Sequence, residues 1–138
     1  MTTRSVSDIR YEDTVEYMLI LSDAKVIKVY DGDTITIGFY MDGSDRPFRS
    51  SVRLNGIDTP EMKGKSPEEK QRAKLAQQFL SSQILGKVVT LSNIAKEKYG
   101  RILADVHCEG VHINQLMIDN NHAVAYFGGT KQEFKDAK

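Results

Sequence analysis

The residues of this chain best suited to chemistry are acids and arginines set at the ends of β-like segments. Asp33 follows a tight turn in Asp31-Gly32-Asp33-Thr34, and Asp58-Thr59 closes an apolar segment that carries Arg53. Glu61 stands three residues past Asp58 with Pro60 between them, and Arg101 opens a later β-like segment. Breaking a phosphodiester bond takes an acid-rich pocket for a hard cation, a group that activates water, and positive charge where the phosphoryl oxygens become more negative. These residues supply all three kinds. If the first two segments are hairpin neighbours, Asp33, Asp58 and a backbone carbonyl can surround one ion, and all-oxygen ligation selects calcium or magnesium over zinc. Pro60 fixes the backbone turn between Asp58 and Glu61. The guanidinium groups of Arg53 and Arg101 match phosphate oxygens bidentately and keep their charge at any working pH.

Each piece alone also has a plain structural reading. Asp-Gly is a common hairpin dipeptide, and Arg53 alternates with Val52 and Leu54 as the solvent-facing residue of a half-buried strand would. Asp58-Thr59-Pro60-Glu61 reads as a loop leading to a helix, and Lys98-Tyr99-Gly100-Arg101 as an exposed hairpin tip. Only the elements that carry these residues can bring them together. Residues 1–22 read as an N-terminal arm, polar up to about Asp13, in which the apolar stretch Val15 to Leu21 suits a short helix or an entering strand equally. Residues 23–138 read as one domain. Within it Ala24 to Tyr30, Thr34 to Phe39 and Phe48 to Ile57 are predicted strands, separated by Asp31-Gly32-Asp33 and by the turn-rich Met41 to Pro47. Ser66-Pro67-Glu68-Glu69 is a capping box that opens a helix with apolar positions at Ala73, Leu75, Ala76, Phe79, Leu80 and Ile84, ended by Gly86. Strands follow over Val88 to Ile94 and Arg101 to His107, then a short helix over Ile113 to Asn120. Three strands, a helix, two strands and a helix describe a mainly β fold with α. Closure into an OB-fold five-stranded barrel, with two to three helices and the first helix as its plug, leaves the fewest exposed edges.

Composition narrows the classes. With 138 residues, 40% of them hydrophobic, the chain has room for one modest core. Lys+Arg and Asp+Glu each number 19, so attraction to a polyanion has to be local rather than global. Lys63, Lys65, Lys70, Arg72 and Lys74 cluster beyond Glu61, and Lys96 and Lys98 flank Arg101, as a solvated face or as a substrate-guiding rim. A single cysteine, Cys108, excludes an intramolecular disulfide and a Cys-based zinc site. His107, His112 and His122 have no ligand-like spacing, and Gly128-Gly129-Thr130 reads as a plain turn. The acidic N-terminus and the lack of a long apolar run predict a soluble, cytoplasmic or otherwise intracellular protein with no membrane contact.

Asp31-Gly32-Asp33-Thr34, then Val52-Arg53-Leu54-Asn55-Gly56-Ile57-Asp58-Thr59-Pro60-Glu61, then Lys98-Tyr99-Gly100-Arg101 together resemble the signature of the staphylococcal nuclease (thermonuclease) family, in order and at matching positions from about Ala24 to Tyr126. The resemblance implies a Ca²⁺ cofactor held by the side chains of Asp33 and Asp58 and the carbonyl of Thr59. It implies that Glu61 is the base or water-positioner, and that Arg53 and Arg101 grip the phosphate and stabilise its pentacoordinate transition state. Lys98 and Tyr99 would contact a neighbouring phosphate, and Tyr126 would stack on a base. The implied activity is that of a calcium-dependent endonuclease on DNA and RNA, preferably single-stranded, acting as a monomer with little sequence specificity and leaving 3′-phosphates.

Three departures from the family pattern stand out: a longer, charged hairpin at Met41 to Pro47, a shorter loop at Met62 to Lys65, and only Lys131 to Lys138 where the family has a long terminal helix. A different class of function suits the same barrel, namely an OB-fold module that binds single strands without cutting them. The presence of Asp33, Arg53, Asp58, Glu61 and Arg101 together speaks against it.

Overall fold

The computed structural model describes residues 5–14, 21–61, 66–97 and 100–126. Predicted features at Val15 to Ile20, Met62 to Lys65, Lys98, Tyr99 and Phe127 to Lys138 lie outside them. Ahead of the barrel, Val6–Asp8 and Tyr11–Asp13 form two single 3-10 turns with no buried residue.

Strand β1 spans Leu21–Asp31, three residues earlier than its apolar run suggests, and β2 spans Thr34–Tyr40. β3 covers Pro47–Leu54, β5 Val88–Lys96 and β6 Ile102–Cys108. These five strands run in the order β3-β2-β1-β5-β6, and a pairing of β3 with β6 closes the sheet into a barrel. That closing pair is parallel, with Arg53 opposite Leu103, whereas the others are antiparallel. Closure removes the edges that an open meander would expose. Register shifts at Val26/Lys28 and Val29/Asp31 in β1 and at Ser92/Ala95 in β5 mark bulges, which bend strands around a small barrel.

Strict alternation fills the interior. Ile35 and Ile37 of β2, Val52 and Leu54 of β3 and Ala104 and Val106 of β6 are fully buried, while their neighbours in sequence face outward. Helix α1 (Pro67–Ile84) plugs the barrel as predicted. Ser66 Oγ accepts from the Glu69 N–H at 3.0 Å, Pro67 takes the first helical position, and Ala73, Ala76, Leu80 and Ile84 form the buried stripe. Leu75, predicted on that stripe, is instead 46% exposed, because its position falls on the far side of the helix from Ala73 and Ala76. At the other end Gly86 takes φ +79° and its N–H donates to Val26 O at 2.8 Å, tying the helix exit to β1.

The predicted third strand does not run on to Ile57. Asn55-Gly56 is a turn, with Gly56 at φ +79°, and Ile57–Asp58 (β4) leaves the barrel to pair with Val124–Ala125 (β8). Ile57 is one residue out of step with Val52 and Leu54, but its apolar type extends the β-like run across the break. Val111–His112 (β7) extends β6 by a tight hairpin, and α2 covers Ile113–Asp119. No helix among the described residues is long and apolar enough to cross a membrane.

Candidate active site

The site is assembled where the β1–β2 turn, the end of β3, β4 and the tail after β8 meet. Asp31-Gly32-Asp33 turns tightly because the Asp31 carboxylate accepts the Asp33 N–H at 3.1 Å, and Thr34 Oγ1 donates to Asp33 Oδ1 at 3.1 Å. Gly32 is required by close approach. A Cβ there would lie 2.8 Å from Ala76 Cβ and 3.0 Å from Thr59 Cγ2, so the bare backbone lets the turn rest on α1 and on the loop after β4. Asp33 O accepts the Leu54 N–H at 2.8 Å, which fixes this turn against the end of β3.

Arg53 points away from the barrel core yet is well covered, its side chain 17% exposed. Its Nη2 lies 3.5 Å from Asp33 Oδ2, 3.5 Å from Asp58 Oδ1, and donates to Ile57 O at 3.2 Å. The Tyr126 ring sits over the same guanidinium, 5.9 Å from Cζ to centroid, within cation–π range. Tyr126 is brought there by the β4–β8 pair and by its N–H, which donates to Gly56 O at 2.8 Å. Residues 33, 53, 58 and 126 thus converge on one spot.

Electrostatically the spot is crowded with acid. Asp33 and Asp58 are buried, and Asp31 is half-buried behind them. Burial first, then the hydrogen bond to Asp33 and its charge, pushes the Asp31 carboxyl up to about 7. Two buried carboxylates sharing one guanidinium leave an excess of negative charge that favours a further cation. The donors nearby are oxygens, which fits calcium or magnesium, and the buried Thr59 Oγ1 has no hydrogen-bond partner among the described residues. Among those residues no three His, Cys, Asp or Glu side chains form a cage for an ion. A cation here would therefore be held by Asp33 and Asp58, with Thr59, water or substrate oxygens completing its shell.

Glu61 is exposed on the loop that follows buried Pro60. Arg101, immediately before β6, is turned toward Glu97: its Nε donates to Glu97 Oε1 at 2.9 Å. Strand alternation from Leu103, the partner of Arg53, places Arg101 on the Arg53 side of the β3–β6 pair. Lys98 and Tyr99 fall outside the described residues. The basic cluster is present in part, with Lys70 and Lys74 exposed on α1 and Arg72 half-buried.

The sequence reading missed Asn114. This buried side chain accepts the Val106 N–H at 2.9 Å and donates to Asn55 O at 2.8 Å and to Ala104 O at 3.1 Å. It pins α2 and β6 to the turn that redirects the chain toward Asp58. Nothing in its local sequence marks it, since its partners lie 8, 59 and 10 residues away. Glu97 was missed too, although a glutamate four residues before Arg101 across a glycine-containing turn is a legible signal.

The family model described as "Staphylococcal nuclease homologue" matches residues 51–138. Among similar proteins is an uncharacterized protein of Bacillus anthracis, 37% identical over 103 residues that make up 72% of this chain and 45% of that protein. An uncharacterized endonuclease of Escherichia coli is 34% identical over 103 residues, 74% of this chain and 60% of that protein. A probable staphylococcal-like nuclease of Oryza sativa subsp. japonica is 38% identical over 72 residues, 52% of this chain and 13% of that protein. The chain spans about half the length of the first of these relatives and about three-fifths of the second. Because the family match takes in the end of β3 with Arg53, β4 with Asp58, Arg101 and Tyr126, over more than half of the residues, the chain belongs to the staphylococcal nuclease family.

Proposed function

We propose that the chain is a Ca²⁺-dependent endonuclease that hydrolyses phosphodiester bonds of DNA and RNA with little sequence specificity, prefers single strands and leaves 3′-phosphate products. The observation that carries this reading is the contact of one Arg53 nitrogen with two nearly buried carboxylates, Asp33 and Asp58, each at 3.5 Å. Such a cluster is a poor stability device, since buried ion pairs are often no better than apolar packing, and it suits a site that awaits a cation and an anion.

In this reading Asp33, Asp58 and Thr59 would hold calcium, which when bound would polarise the phosphoryl group and help to seat the substrate. The Arg53 guanidinium, beside these acids, donates to a phosphate oxygen. Glu61, exposed beside buried Pro60, positions the attacking water or takes its proton. Arg101 donates to the phosphate from the β6 side, and both arginines stabilise the charge that develops on its oxygens. Lys98 and Tyr99 contact the next phosphate. Tyr126 offers a ring to a base, and stacking of that kind is indifferent to sequence. All these residues come from one chain, so a monomer suffices, with residues 23–138 as the catalytic domain and 1–22 as an arm.

The test is cleavage of single-stranded DNA and of RNA by the purified protein in Ca²⁺ or in chelator, with the product ends analysed for phosphate. Calcium-dependent cleavage to 3′-phosphates is expected. Tight binding with no cleavage in Ca²⁺, Mg²⁺ or Mn²⁺ would refute the reading and leave a single-strand-binding barrel in its place.

A further inference from the structure

We infer that Glu97 is a positioning residue for Arg101, holding its guanidinium by the Nε edge so that the Nη donors face a substrate phosphate; this rests on the phosphodiesterase reading above. Two separate contacts join the same pair of residues across the β5–β6 turn. The Glu97 N–H donates to Arg101 O at 2.7 Å, and Arg101 Nε donates to Glu97 Oε1 at 2.9 Å. The first fixes the backbone from which Arg101 departs, and the second fixes its side chain.

An arginine at a hairpin tip, with its side chain 42% exposed, would otherwise sample many rotamers and lose that freedom only on gripping a phosphate. The bond to Glu97 removes that freedom beforehand, which is how positioning raises a rate. Guanidinium has five N–H donors, and the contact with Glu97 engages the one on Nε. Among the described residues the side-chain contact of Arg101 is through Nε, which leaves to substrate the Nη edge, the one that pairs with phosphate. Arg101 shares the Arg53 side of the β3–β6 pair, so restricting it to one orientation favours a grip on a single phosphate from two directions. An exposed i,i+4 ion pair adds little to stability. The consequence of losing it should therefore appear in turnover and not in folding.

Steady-state cleavage of single-stranded DNA in Ca²⁺ tests this with the parent, Glu97→Ala, Glu97→Gln, Arg101→Ala and the Glu97→Ala/Arg101→Ala pair. Glu97→Ala should lower kcat about tenfold or more while KM stays within about twofold. Glu97→Gln keeps an oxygen that accepts from Nε, and should recover most of the loss. The double variant should be no slower than Arg101→Ala alone, because Glu97 acts only through that side chain. A parent that cuts while Glu97→Ala retains full kcat overturns the inference alone. So does a glutamine variant as slow as the alanine one, or a double variant that multiplies the two losses. A parent inactive with every divalent cation tried overturns the nuclease reading itself and this inference with it, an outcome no Glu97 variant can imitate.

Discussion

Replacing Arg53 by alanine separates the structural duty of that guanidinium from its chemical one. In the folded chain it is the counterion of Asp33 and Asp58, whose side chains are 9% and 5% exposed. At 3.5 Å and an effective dielectric of about 20, each contact supplies roughly 4.7 kcal/mol of gross attraction. Desolvation of the charges offsets most of that, and the net effect of breaking a buried pair from one side is about 3–5 kcal/mol, chiefly because the acids are left uncompensated. Domains of this size have a total stability of about 5–15 kcal/mol, so Arg53→Ala should fold but melt roughly 10–20 °C below the parent in chelator. Calcium should recover much of the difference. A ligand at a hundredfold excess over its Kd adds about 2.7 kcal/mol, and the variant should bind calcium more tightly than the parent because no guanidinium competes for the acids. Cleavage should not recover, since loss of one preorganised donor to a developing oxyanion costs about 10²–10³ in kcat. Thermal unfolding by circular dichroism, in Ca²⁺ and in chelator, reads the first effect, and single-stranded DNA cleavage in saturating Ca²⁺ reads the second. Equal melting of parent and variant in chelator would show that the acids do not depend on Arg53, and the account of the cluster would fail.

Three further outcomes are expected. Gly32→Ala should weaken calcium binding and destabilise by about 1–3 kcal/mol, because the new methyl meets Ala76 Cβ at 2.8 Å and wedges the acidic turn away from Thr59; an unchanged calcium titration would count against that contact. Asn114→Ala should lower the urea midpoint by an amount corresponding to about 2–4 kcal/mol, since Val106 N–H and Asn55 O lose a buried partner; a midpoint equal to that of the parent would deny it the pinning role. His122 is stacked on Phe79 at 4.7 Å, and burial holds its pKa below the usual value. The unfolded chain therefore takes up this proton first as pH falls. The His122 contribution is complete above about pH 6.5 and is lost below it, down to the lower folded-state pKa. Urea midpoints of parent and His122→Phe should accordingly differ in pH dependence between about pH 7.5 and about pH 5.5, with the variant losing less stability on acidification. Parallel pH dependence in the two would show that the proton is not excluded.

Much of this architecture is legible in the sequence, and what is not has definite physical causes. Alternation over Thr34 to Phe39 and the Ser66-Pro67 helix start are local signals, and both elements lie where those signals put them. The break at Asn55-Gly56 was missed although Ile57 falls out of step with Val52 and Leu54, because its apolar type suits a strand and its partner Ala125, on a strand outside the barrel, is distant in sequence. Strands β4 and β8 have two residues each, too few for any periodicity to show. At the site, the acids and arginines stood out by type and spacing. The packing that demands Gly32 and the clamp made by Asn114 depend on partners distant in sequence that only the folded backbone supplies.

The register of the barrel is what joins core to site. Thr34 is the β-partner of Arg53, and Asp33 O accepts the Leu54 N–H, so the β1–β2 turn and the end of β3 form one unit. Val52 and Leu54 are fully buried, and because strand side chains alternate, their burial forces Arg53 to the outside of the barrel, where Asp33 and Asp58 lie. A slip of one residue between β2 and β3 would turn the guanidinium inward and put two aliphatic side chains in solvent, a cost of about 1.5–3 kcal/mol for each apolar group exposed, before the buried charge is counted. Hydrophobic burial thus protects the placement of the charged residues. That is why a small barrel with no net charge can keep two acids each 3.5 Å from one arginine although their own pairing adds little to its stability.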